Sequence, residues 1–145
     1  MKNLLKSHTT ELLLAGMFIL TYIPTFLWMW DRWFARDSYY SHGVLIPFVS
    51  GFLIWQMRDE LAAIKPRRSP WGMPLIITGL CVHLMSSLLR VYFTSGFSML
   101  VVLSGLVLFF YGSKTLKKIT FPVAFLIFMF PVPLVVITNI SFKMK

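Results

Sequence analysis

Apolar residues in this chain are grouped in blocks, with charged and polar positions collected between them. The blocks run over roughly Leu12–Trp30, Gly43–Met57, Trp71–Leu89, Ser95–Gly112 and Phe121–Ile140. Their lengths fit membrane helices, because about 20 residues at about 1.5 Å per residue cross a hydrocarbon core of about 30 Å. The pattern predicts an all-α, polytopic membrane bundle of about five segments, formed as a single membrane domain over residues 1–145.

Two blocks depart from a plain span. In the last, about ten apolar residues precede Pro131-Val132-Pro133, enough for only about half the core. A helix continued through them would free the carbonyls of Ile127 and Met129, which then need partners from neighbouring helices or from water. The segment is therefore predicted to break at Pro131 and Pro133, as a broken span or a re-entrant hairpin. In the second block, DSYYSHG runs directly into apolar sequence. On a helical wheel Tyr39, His42, Gly43, Ile46, Pro47 and Ser50 share one face, and Leu45, Phe48, Val49 and Phe52 the other. The first face is expected to point inward and the second toward lipid.

Composition supports the membrane reading. Of 145 residues, 57% are hydrophobic and 13% charged, about half the charged share of a soluble domain. A net charge of +9 on a soluble protein would suggest nucleic acid. Here Lys2, Lys6, Arg58, Lys65, Arg67, Arg68, Lys114, Lys117 and Lys118 sit in clusters between apolar blocks, the pattern of cytoplasmic loops. Nucleic acid is not an expected partner, whereas membrane lipid is. The same bias puts the N-terminus in the cytoplasm and the Asp31–His42 loop on the far side. The run after the basic N-terminus has no small-residue cleavage site and reads as an uncleaved anchor. Trp28, Trp30 and Trp33 read as an interfacial belt.

Candidate chemistry is sparse. The one cysteine, Cys81, cannot meet His83 on the same helix, because residues two apart point about 200° from one another. Cys81 reads as an inert small hydrophobe and His83 as a neutral, hydrogen-bonded imidazole. Arg90 either holds a carboxylate or reaches to the headgroups. Glu11, Asp31, Asp37, Asp59 and Glu60 all lie in loops or at block ends, which leaves a carboxylate-lined transport path without candidates. No motif for a metal or cofactor is present. The polar residues around His42 either fix the helix at the interface or contribute to a site there.

Tyr40, Ser41, His42, Gly43, Leu45, Pro47, Ser50, Leu53, Trp55, Arg58 and Leu61 together form a pattern that resembles the N-terminal signature of the exosortase/archaeosortase family. Phe121, Pro122, Phe125, Leu126, Pro131 and Pro133 resemble that family's later proline-rich segment. The resemblance implies an inner-membrane cysteine peptidase or transpeptidase that cleaves C-terminal sorting tails of exported proteins outside the cytoplasm. Such a tail combines a short Pro-Glu-Pro-type motif, a membrane helix and basic residues. The family's nucleophile lies in a Cys-Ser-Gly-type motif beyond the Pro-x-Pro segment, with Arg and His partners further on. Residues 1–145 hold none of these, so no catalytic residue carries over. The expectation is an N-terminal part of an exosortase, inactive without the remainder of the same enzyme as its partner. The competing expectation is a non-enzymatic membrane scaffold or accessory subunit.

Overall fold

The computed structural model describes residues 2–36, 39–131 and 134–144. The long first helix α1 (Lys2–Trp33) is followed by a 3-10 turn (Ser41–Val44) that leads into α2 (Leu45–Gln56). Then come α3 (Arg58–Ala63), α4 (Gly72–Leu88), α5 (Tyr92–Phe110) and α6 (Ser113–Lys118). Helix α7 (Thr120–Phe125) tightens into a 3-10 turn (Leu126–Met129), and α8 spans Leu134–Lys143. Among the described residues every regular element is helical. Two of the helices, over His8–Trp33 and Tyr92–Phe110, are long and apolar enough to cross a membrane, while Gly72–Leu88 and Thr120–Met129 are shorter apolar helices. The stretches read as basic loops carry the short helices α3 and α6, and α1 extends well beyond the expected Leu12 start.

The surface is apolar and much of the interior is polar. Leu12, Leu20, Phe48, Leu84 and Leu88 are largely exposed, whereas Thr25, Ser50, His83, Ser86, Ser95 and Ser98 are buried. Such an arrangement suits hydrocarbon as the surrounding medium. There, apolar surface gains little by burial, and helices associate through close packing and hydrogen bonds. Helices α1 and α5 run antiparallel, and their contacts keep register. Tyr22 Oη lies 3.1 Å from Ser98 Oγ, Thr25 Oγ1 lies 2.7 Å from Ser95 Oγ, and the Trp28 and Tyr92 rings stack at 6.0 Å. Each step of three residues up α1 is matched by three down α5, the i, i+3 spacing of one helix face.

Helices α4 and α5 approach at glycines. A Cβ on Gly105 would lie 2.7 Å from Ile76 Cγ1 and 2.9 Å from the Ile76 nitrogen, and one on Gly72 only 2.6 Å from the Gly105 carbonyl oxygen. Small residues allow this backbone contact, the usual basis of helix pairing in lipid. The turn between them closes by two bonds, Arg90 N–H to the Ser87 carbonyl (3.3 Å) and Val91 N–H to the Ser86 carbonyl (2.9 Å). This is a Schellman cap, with Arg90 in the left-handed position that glycine normally fills, at φ 55°.

The last apolar block breaks where the prolines predict. Phe130 is extended, with ψ 125°, because a residue that precedes proline is pushed out of the helical region. Pro131 is buried and non-helical, and Pro133 lies outside the described residues.

Two outcomes follow for stability. Gly105→Ala should destabilise the bundle by about 1–3 kcal/mol through overpacking at a backbone contact, seen as a lower midpoint of thermal unfolding in detergent. Arg90→Gly should stabilise it by about 1 kcal/mol, since glycine adopts the left-handed cap without steric penalty.

Candidate functional site

The two signature segments meet at the end of the bundle where α1 finishes. Trp33, in the last turn of α1, is buried, and its indole Nε1 donates to the Met129 carbonyl at 3.0 Å. Met129 is the last residue of the 3-10 turn before the break. The Ile127 carbonyl is satisfied by Phe130 N–H at 3.2 Å. Both carbonyls singled out by the proline positions therefore have donors. Trp33 also corrects its reading as part of an interfacial belt. Trp30 is exposed as expected, but Trp33 is turned inward because the Met129 carbonyl needs a donor.

Gly43 lies beneath this indole. A Cβ there would overlap Trp33 Nε1, lie 2.7 Å from Trp33 Cδ1 and approach the Met129 oxygen to 3.0 Å. The glycine of the signature is thus set by the hydrogen bond that spans it. Two turns along, buried Ser50 Oγ donates to the Pro122 carbonyl at 3.0 Å. The α7 helix is tightening at that point, and the Leu126 N–H reaches the Val123 carbonyl one residue nearer. Each bond ties a residue of one segment or its neighbour to the other segment.

The wheel reading of α2 holds in part. Gly43, Ile46 and Ser50 are buried, and Leu45, Phe48 and Phe52 are exposed. Tyr39 and His42, expected inward, are exposed. Tyr39 precedes any helix of this segment, and Ser41–Val44 is a 3-10 turn whose tighter winding rotates His42 off the α-helical face. Tyr40 is half-buried against the core, with its carbonyl accepting Gly43 N–H at 2.8 Å, and Ser41 is exposed.

At the opposite end of α2, the Arg58 guanidinium sits 4.4 Å over the Trp55 ring, and its Nη1 donates to the Trp55 carbonyl at 3.2 Å. This pair caps the helix end and is not part of the groove lined by His42.

His42, Leu45, Ile46, Val49, Phe125 and Phe128 line a groove of about 390 Å³ between α2 and the α7 segment. Its walls are apolar except for the His42 imidazole at one end, whose ring lies 6.4 Å from that of Tyr40. A long apolar segment with a polar end would match it. The groove exists because Gly43 and Ser50 hold α2 against the broken segment.

Cys81 and His83 separate as their spacing requires, with Cys81 exposed and His83 buried. His83 Nδ1 lies 2.7 Å from Ser95 Oγ, and its ring packs 4.3 Å from that of Tyr22. Thr25, Ser95 and His83 are thus joined in one hydroxyl–imidazole chain. Ser98 donates to the Ser95 carbonyl at 2.6 Å, so Tyr22 is the donor to Ser98. Among the described residues no buried side-chain nitrogen or oxygen lacks a partner, and this cluster works as an interhelical staple. Sequence reasoning passed over Tyr22, Thr25, Ser95 and Ser98. Their signal was the matching i, i+3 spacing of hydroxyls in two apolar blocks.

The two signature segments are thus one packed unit, and a comparison with known families bears on that unit. A model of the transmembrane exosortase family matches residues 30–145. The chain belongs to that family. The match covers Trp33, Gly43, Ser50 and the whole groove, and with the apolar exterior it makes this a membrane protein. No curated protein and no solved structure matches the chain. Among the described residues of this exosortase-family chain, no group of three or more His, Cys, Asp or Glu could hold a metal ion.

Trp33→Phe should destabilise the fold by about 1–3 kcal/mol by orphaning the Met129 carbonyl. Gly43→Ala should cost a similar amount by displacing the same indole. The double variant should fall well short of the sum, because both changes remove one contact. Thermal unfolding of the set in detergent gives the coupling.

Proposed function

We propose that residues 1–145 form the substrate-receiving part of an exosortase, and that the groove beside His42 seats the membrane segment of a C-terminal sorting tail. The observation that carries this reading is the groove itself. One wall comes from each signature segment, the lining is apolar, and a single polar side chain stands at one end. The basic clusters gather where α2 ends and α4 begins, and the positive-inside bias places that end in the cytoplasm of a plasma-membrane protein. The groove and His42 then face the opposite side, where exported proteins are processed.

In this reading the chemistry belongs to a segment that follows the Pro-x-Pro run and completes the enzyme. Its cysteine thiolate would attack the tail's scissile carbonyl, the C–N bond would break, and the amine would leave with a proton from a basic partner. The part played by residues 1–145 is to hold the tail at a fixed depth, so that its cleavage site meets that thiolate. Cys81 has no role in the reaction, and His42 positions the tail's polar junction.

Site-directed photo-crosslinking tests this. With a photoreactive residue at Phe128 or Val49, an exported protein carrying the tail should be captured through its tail. The same residue at Leu84, which is exposed on α4, should capture none. In a chain continuous with the catalytic segment, His42→Ala should slow tail processing roughly tenfold at unchanged protein level, the effect of a lost contact of about 1.4 kcal/mol. Equal capture at Leu84, or capture of an unrelated membrane protein in place of the tail, would instead point to a scaffold.

A further inference from the structure

The opposite end of the bundle carries a second concave site. Lys65, Arg67, Arg68 and Lys114, with Ser69 and Ser113, line a pocket of about 480 Å³ between the α3–α4 connection and the start of α6. No carboxylate lines it. Glu60 is engaged with Lys118 and Asp59 with Arg58 at 3.9 Å, while Glu11 accepts from the hydroxyl of Tyr111, itself a lining residue, at 3.3 Å. Among the described residues the four basic side chains of the pocket have no ion-pair partner.

The pocket is also built. Arg67 N–H donates to the Tyr111 carbonyl at 3.2 Å. Gly112, at φ 91°, lies so close beneath Arg67 that a Cβ would overlap the Arg67 carbonyl oxygen. These backbone contacts clamp together the two connections that carry the basic residues. The position suits an interfacial ligand. Trp71, at the start of α4, is 75% exposed, as an indole lying at headgroup level would be.

We propose that this pocket binds a phosphate group, and that the group it takes is the headgroup phosphate of an anionic phospholipid. Two arginines, two lysines and two serines line one concave site. That set matches phosphate oxygens, and basic pockets at the membrane surface recognise such headgroups. Exposure of the pocket beside the apolar helix ends lets the acyl chains continue along the bundle surface.

The test is lipid retention by the purified full chain in detergent, read by native mass spectrometry. Phosphatidylglycerol should be retained and phosphatidylcholine should wash out. Arg67→Ala with Arg68→Ala removes two charges but neither backbone clamp, and should weaken phosphatidylglycerol retention roughly 25-fold, about fivefold per residue. Arg67→Lys with Arg68→Lys should keep most of it, which separates charge loss from misfolding. Lys117→Ala, outside the pocket, should have little effect. Equal weakening by Lys117→Ala, or none by the double alanine variant, would overturn the site. Displacement of the lipid by millimolar inorganic phosphate would overturn the lipid as its source.

Discussion

A buried backbone carbonyl left without a donor is the constraint from which the packing around α2 and the proline-rich segment follows. The proline-rich segment interrupts its helix at Phe130 and Pro131, and the Met129 carbonyl is then stranded. Trp33 supplies the donor. To do so its indole must lie flat across the turn at residue 43, which leaves no room for a side chain there. The glycine fixes how α2 leaves the turn, and Ser50 then meets the Pro122 carbonyl. Residues nearly a hundred positions apart are joined this way by polar contacts, each needed because water is not available to replace it.

The same medium explains the inside-out distribution of polarity. Hydrocarbon offers no reward for burying Leu or Phe, so helix pairing relies on glycine contacts and on hydroxyl ladders. The Tyr22–Ser98 and Thr25–Ser95 pairs set the register of α1 against α5, and His83 extends the network to α4. A histidine in this position is a structural member, tying α4 to the hydroxyls of α1 and α5.

The two ends of the bundle differ in chemistry. One end presents an apolar groove with a single imidazole, formed by the segments that place the chain among the transmembrane exosortases. The other presents a cationic pocket on a rigid base, together with the Arg58–Trp55 cap and the Lys118–Glu60 pair.

Much of this was legible in the chain. Block lengths and the scarcity of charge determined a helical membrane protein, because hydrocarbon admits helices whose backbone bonds are internal. The prolines determined where the last segment breaks, since proline restricts its own backbone and that of the residue before it. The i, i+3 and i, i+4 periodicity was enough to put Gly43, Ile46 and Ser50 inside, and a two-residue spacing to put Cys81 opposite His83. Only the tertiary structure decided which donor met each freed carbonyl, and so that Trp33 turned inward. It also rotated His42 outward in a 3-10 turn, left Tyr39 outside the helix, and brought Lys114 beside Arg67 and Arg68. Those outcomes depend on contacts between distant segments, and local periodicity holds no information about which segments become neighbours.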